Sequence, residues 1–459
     1  MQKFHFKNIL ENSGWRQNVL IETDDTGTIT SISESNLVDK DVNLIEGFVL
    51  PGFQNAHSHA FQYAMAGLAE NHEISNNPDD FWSWRDEMYQ LALKVSPDQM
   101  EAIASMLYSE MVRQGYTNVA EFHYIHHQTD GSKYDNLAEM GQRMINAAKN
   151  AGINITLVPI FYQMGGFGKE AQDGQRRFIS KTTEEYLELF EASKQACESY
   201  SGANIGIGIH SMRGVKSSDI VKIANEGPQD VPFHIHISEQ LKEIEDCLNY
   251  LGKRPVEWLS QNIQLSERFH LVHATHLSPE EISMIASTKA NVVLCPTTEG
   301  NLGDGLFPFN QFQKEGGQWS IGTDSHIGIN PLEELRLLDY GQRLISHKRN
   351  TFAQKTGDSG AYAIEMATVA GRKAMNNFEA TYFKVGEKLN AAIIDSKSPL
   401  LALTRKERLT SSLLYTSDSS HIWGAIINGS IQAANGKHKN EETIKANFVK
   451  AINEIGNRS

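Results

Sequence analysis

The residues best suited to chemistry are histidines and acids set at short spacings. His57-Ser58-His59 places two imidazoles two positions apart. On an extended strand, positions i and i+2 face the same side, so both rings point together and can share one divalent metal. By itself such a pair is weak evidence, because paired histidines are also common packing residues. A second group, His234-Ile235-His236-Ile237-Ser238-Glu239, offers a third nitrogen ligand. His236 is the choice because it lies nearer the C-terminal end of its strand, and His234 is read as a packing or supporting residue. Glu239 follows closely enough to act beside a metal without ligating it. His273, in Leu271-Val272-His273-Ala274, and Asp324, in Gly322-Thr323-Asp324-Ser325, complete the set. Asp324 supplies a carboxylate oxygen. Three histidines, one aspartate and an open position fit a catalytic zinc site better than a closed structural one, which would favour cysteines. Ferrous iron is the alternative metal. One complete ligand set predicts one metal per chain.

These residues need a scaffold that gathers distant strand ends. Apolar, β-branched stretches predict strands over Val49–His59, Thr117–Tyr124, Asn154–Tyr162, Asn204–Ser211, Pro232–Glu239, Phe269–Leu277, Asn291–Pro296 and Trp319–His326. Between them, apolar residues recur at three and four, which predicts helices such as Pro97–Gln114, Asp135–Ala151, Thr183–Tyr200 and Pro331–Ser346. Ser96-Pro97 and Ser278-Pro279 are helix starts, with Pro at a first helical position behind a serine cap. Eight strands alternating with helices predict an α/β chain with a (β/α)8 TIM-like barrel. Polar residues end the apolar runs: His57 and His59, Glu121 to Tyr124, His210, His236 and Glu239, His273, Thr297 to Glu299, and Asp324. Barrel active sites gather at such ends. The termini read as short β pieces, with Asn428-Gly429 as a hairpin signal. Residues 1–48 and 385–459 are therefore expected to form a small β-sandwich domain from both ends, with a C-terminal surface helix over Glu441–Ile455. The barrel occupies residues 49–384.

Composition narrows the function. The 459 residues include no apolar run near the ~18–20 that a membrane helix needs, and the first residues lack the pattern of a signal peptide. The three cysteines, Cys197, Cys247 and Cys295, are far apart, which argues against a disulfide framework and for a reducing, cytoplasmic setting. A formal net charge of −14 excludes a broad nucleic-acid surface but not an anion held by local arginines. Several other groups have ordinary readings. Trp82 and Trp84 suit packing in a core or lid. His123, His126 and His127 resemble a metal cluster but are read as loop residues. The loop Gly303-Asp304-Gly305 lacks the Lys-Ser/Thr of a phosphate-binding loop.

Leu50-Pro51-Gly52-Phe53 before the histidine pair, the HxxE after strand five, the histidine after strand six and Gly-Thr-Asp after strand eight resemble the amidohydrolase superfamily. Strand four ends in Ile209-His210-Ser211, without the lysine that is carbamylated in many two-metal members, so the resemblance is to the mononuclear deaminase branch. Asn55–Gln62, Phe81–Arg85, Glu121–Tyr124, His210–Arg213 and Cys295–Gly305 narrow it to the formimidoylglutamate deiminase family. That resemblance implies zinc-dependent hydrolysis of N-formimidoyl-L-glutamate to N-formyl-L-glutamate and ammonia, a step of histidine degradation. It implies metal ligation by His57, His59, His236 and Asp324, and catalysis by Glu239 and His273 together with Asp324. It implies substrate contacts from Gln62, Arg85, Tyr124, His210 and Arg213, and a homodimer acting on a small dicarboxylate. Another deaminase of this branch, acting on guanine or another base, and a catalytically silent scaffold of the same fold are the alternatives. A flat base would not need two arginines, and a silent scaffold would not keep four metal ligands.

Overall fold

The structure is a computed structural model that describes residues 1–36, 40–70, 81–349, 351–352 and 357–456. Its larger sheet has nine strands, eight of them in barrel order: Phe53–Ser58, Tyr116–His123, Asn154–Phe161, Ile207–Ser211, Phe233–Ile237, Phe269–His273, Asn291–Leu294 and Gln318–Ile321; the short Ala203–Ile205 pairs with Asn154–Phe161 beside them. Every neighbouring pair is parallel. A parallel bridge between Ser58 and Asp324 joins the first strand to the segment after the eighth. The amides of Thr323 and Asp324 both donate to the His57 carbonyl at 3.1 Å. Gly322 makes this approach possible, because a Cβ there would lie 2.8 Å from the Cβ of His57. The barrel is thus nearly closed at the edge where the ends that carry His57 and Asp324 meet.

The helices between the strands begin as the sequence predicts. Ser96 and Ser278 each form a capping box, with Gln99 and Glu281, ahead of a proline in the first turn. The apolar faces of Pro97–Arg113 and Glu139–Ala151 are buried against the strands they flank.

The second sheet is mixed and draws on both termini. Its order is Lys437–His438, Ser430–Ala434, Ile422–Ile427, Ala391–Ile394, Asn43–Pro51, Gln2–Glu11, Gly14–Thr23 and Ile29–Glu34. It folds back on itself, so that Thr28 bridges Lys388, and it encloses its own apolar cluster of Phe4, Phe6, Ile9, Val19, Ile21, Val49 and Ile393. This is the small β layer expected from the two ends.

Two boundaries differ from the sequence reading. Val49–His59 is not one strand. Asn43–Pro51 belongs to the terminal sheet and Phe53–Ser58 to the barrel. The chain turns from one to the other at Gly52, where a Cβ would lie 2.2 Å from Thr117 Oγ1. Two helices beyond residue 385 lie against the barrel. Glu441–Ile455 packs on Pro97–Arg113 and buries Ile444, Ala451 and Ile452. Arg336 donates to the carbonyl of Leu414, which ties Leu409–Thr416 to the barrel helix Pro331–Ser346.

Candidate active site

His57 and His59 end the first strand with both rings turned inward, and their Nε2 atoms lie 3.1 Å apart. His236, on the fifth strand, brings its Nε2 to 3.0 Å from that of His57. Asp324 Oδ1 lies 3.2 Å from both His57 Nε2 and His59 Nε2. All four residues are buried. Ligands at about 2.1 Å in a tetrahedral array lie roughly 3.4 Å apart, so this spacing suits a common metal ion. The hydrogen bonds behind the rings make the same point chemically. His59 Nδ1 donates to the Phe122 carbonyl at 2.9 Å, and His236 Nδ1 donates to the His210 carbonyl at 3.0 Å. Both Nε2 atoms therefore present lone pairs to one another's neighbourhood, and a single proton on His57 can satisfy only one. A cation satisfies all of them, and the outer hydrogen bonds orient the ligands for it. Burial lowers the His57 pKa to about 3, which keeps this imidazole neutral and free to ligate. Burial alone would push the Asp324 carboxyl up, but His57 and His59 bring it well below its ordinary range.

Behind Ser58 lies Glu121, which accepts from Ser58 Oγ at 2.6 Å, the Ala60 amide at 2.7 Å and Tyr108 OH at 2.9 Å. It fixes the backbone on both sides of His59. Its residue type at a strand end was visible in the sequence; its role as a staple was not.

Around these four residues stand the others expected at the site. His273 Nε2 lies 3.8 Å from both Glu239 Oε1 and Asp324 Oδ2, and its Nδ1 lies 3.3 Å from Glu299 Oε1. Burial opposes a charge on His273, but Glu239, Glu299 and Asp324 together raise its pKa to about 10. Glu299 is a partner the sequence reading did not assign. Ser238, His273 and Asp324 all have φ between +47° and +67°, in the left-handed region that side chains rarely adopt. Such strain collects at functional strand ends.

A cavity of about 40 Å³ connects these groups to Gln62, Arg85, Tyr124, His210 and Arg213. Gln62 donates to Tyr124 OH at 3.0 Å, while its Oε1 is buried without a partner. The helix Phe81–Ala92 contributes Phe81, Trp84, Arg85, Met88 and Tyr89 to the cavity wall. Arg85 stacks over Trp82 at 4.6 Å, and its Nε is buried without a partner. Arg213 is held by Glu243 at 2.9 Å. The residues expected to bind metal, catalyse or hold substrate thus gather at one barrel mouth.

The remaining histidines do not join them. His234 stacks on His270 at 4.8 Å, away from the cavity. His126 and His127 donate to the carbonyls of Ile160 and Ile179 and are buried staples, one to the third barrel strand and one to a loop. A larger cavity of about 680 Å³ lies at the opposite end of the strands, near Gln54, Asn118 and Asn154. Their amides bond to neighbouring protein groups, which is the stabilising character expected of that face.

Comparison with known proteins agrees with this geometry. The sequence model of the Amidohydrolase family matches residues 48–431. Formimidoylglutamate deiminase of Pseudomonas aeruginosa is 40% identical over 444 residues, which span 96% of this chain and 97% of that protein. The crystal structure of an amidohydrolase from Brucella melitensis superposes with a TM-score of 0.93 at 38% identity, covering 99% of this chain and 100% of that one. A zinc-bound adenosine deaminase from Xanthomonas campestris shares the fold, with a TM-score of 0.82 at 16% identity over 99% of this chain and 98% of that one. Converging ligands at a barrel mouth, a family match across most of the chain and a full-length relative lead to one conclusion: this chain belongs to the amidohydrolase family.

Proposed function

We propose that this chain hydrolyses N-formimidoyl-L-glutamate to N-formyl-L-glutamate and ammonia, in histidine degradation. The observation that carries the reading is one small cavity joining the four-ligand cluster to two guanidinium groups, Arg85 and Arg213. The 40% identical deiminase of Pseudomonas aeruginosa supports the choice of substrate. His57, His59, His236 and Asp324 would hold one zinc ion, for which three imidazoles and a carboxylate are a fitting set. When bound, such an ion supplies an acidified water, with a pKa lowered from about 15.7 to about 7.

The protein's own groups do the rest. Arg85 and Arg213 pair with the substrate carboxylates, since guanidinium meets carboxylate through two parallel hydrogen bonds. Gln62, Tyr124 and His210 receive the remaining polar atoms. His273, kept protonated by the three acids around it, and Asp324 orient the attacking water, and Asp324 takes its proton. Glu239 carries a proton to the departing nitrogen, so that ammonia leaves rather than an amide anion. We further assign the chain to the cytoplasm as a homodimer, and divide it into a terminal β domain, 1–51 with 385–459, around a barrel from Gly52 to 384, the boundary moved from 48 to the end of the strand Asn43–Pro51. Three buried free cysteines suit a reducing compartment.

The test is ammonia release from N-formimidoyl-L-glutamate by metal-loaded protein, with guanine and cytosine as controls. Release from the formimidoyl substrate alone is expected. Release only from a base would overturn the substrate.

A further inference from the structure

Arg213 and Glu239 are held by the same buried carboxylate. Glu243 lies in the first turn of the helix Leu241–Leu251 and is 1% exposed. Its Oε2 accepts from Arg213 Nη1 at 2.9 Å and from the Glu239 amide at 3.3 Å. Its Oε1 accepts from the Ser238 amide at 3.2 Å. Ser238 has φ +54°, so the turn that presents Glu239 is in a conformation that needs outside support. The second guanidinium nitrogen, Nη2, faces Glu239 Oε2 at 3.5 Å. Phe81 and Trp82 cover the guanidinium, with ring centroids at 5.7 and 6.0 Å.

We propose that Glu243 is a positioning residue that links recognition of the substrate carboxylate by Arg213 to placement of the proton-transfer carboxylate Glu239. This rests on the roles proposed above for those two residues. Glu243 keeps Nη1, so a substrate carboxylate that takes the other N–H donors competes with Glu239 for Nη2. Glu239 is then released toward the substrate nitrogen while the guanidinium stays in place. A buried carboxylate is costly unless several donors converge on it, and three do so here. A carboxamide cannot replace it, because Gln offers one acceptor oxygen and turns its NH2 toward an N–H.

The test is Glu243→Gln, assayed on N-formimidoyl-L-glutamate and on an N-alkylformamidine lacking both carboxylates. Metal content should stay at the wild-type level. On the dicarboxylate, KM should rise and kcat fall, each by roughly 10-fold, the size of one lost charge-assisted hydrogen bond. On the N-alkylformamidine only kcat should fall. Amide hydrogen exchange at Ser238 and Glu239 should quicken in the variant, a readout that needs no turnover. Unchanged exchange together with kinetic parameters within two-fold of wild type would overturn the proposal. So would a loss of metal equal to the loss of activity. If Glu243→Gln does not fold, Glu243→Asp decides the matter. It keeps the charge but withdraws it by one methylene, and should show the same split at smaller size; wild-type KM and kcat would refute the role. A wild-type protein inactive on N-formimidoyl-L-glutamate would overturn the proposed substrate, while the exchange comparison would still judge Glu243.

Discussion

The two arginines of the cavity should respond differently to removal. Among the described residues, Arg85 meets the rings of Trp82 at 4.6 Å and Tyr89 at 5.3 Å and pairs loosely with Asp86 at 3.8 Å. Arg213 sits between two buried carboxylates, Glu243 at 2.9 Å and Glu239 at 3.5 Å. Arg85→Met therefore removes substrate contacts and little else. One charge-assisted hydrogen bond is worth about 1.5–3 kcal/mol, so kcat/KM on N-formimidoyl-L-glutamate should drop about 10–150-fold. The rate on an N-alkylformamidine without carboxylates should change little. Arg213→Met removes the same kind of contact and also strands two buried anions. Breaking such a buried pair typically costs about 3–5 kcal/mol, so this variant should also melt earlier and lose activity on both substrates. The assay is steady-state ammonia release on each substrate, with metal content and thermal melting measured on the same preparations. The reasoning is refuted if Arg85→Met loses as much on the uncharged-tail substrate as on the dicarboxylate, or if Arg213→Met is no less stable than Arg85→Met.

Three further outcomes are expected. Protein loaded with zinc should hold close to one equivalent, and His236→Ala should lose both metal and activity while His234→Gln keeps the metal; elemental analysis decides, and retention of metal by His236→Ala would move the ligand assignment. Glu239→Gln should keep its metal and lose about 10²–10⁴-fold in turnover, the usual share of a general acid–base group; a rate within a few-fold of wild type would remove it from proton transfer. Burial holds the pKa of His234 at about 4 and that of His123 at about 3, against an ordinary 6.5. Both stay neutral in the fold while the unfolded chain takes up protons, so stability is full above pH 6.5 and declines as pH falls from there toward 4 and 3. The slope is on the order of 1 kcal/mol per pH unit for each histidine. Thermal melts from pH 7.5 to 5 should show this decline, and His234→Gln should make it shallower; an unchanged slope would contradict the assignment.

The alternation of strands and helices, and the polar residues ending each strand, were legible because both follow from local patterning. Two histidines at i and i+2 on a strand must share a face, and barrel closure brings Asp324 to them. What escaped the sequence depends on distant partners. Nothing between Val49 and His59 marks a change of sheet except Gly52, and its lack of room is set by Thr117, far along the chain. Glu121 and Glu243 read as ordinary acids until the fold shows that their oxygens meet amides and side chains around His59 and Glu239. His126 and His127 were rightly read as non-ligands, but the carbonyl toward which each ring turns, that of Ile160 and that of Ile179, was not legible. The helix Glu441–Ile455 was readable as a helix, but its packing partner, Pro97–Arg113, was not.

The strand Asn43–Pro51 lies between Gln2–Glu11, the first strand made, and Ala391–Ile394, made about 340 residues later. During synthesis one edge of this early strand, with Phe48, Val49 and Leu50, waits unpaired until nearly the whole barrel has emerged. An apolar edge left open for that long invites pairing with another chain. The terminal sheet is therefore a late checkpoint in the chain's biogenesis. Substitutions in Ala391–Ile394 should lower the yield of soluble protein far more than they alter the turnover of the molecules that mature, a burden that chaperones would feel before any assay of the active site does.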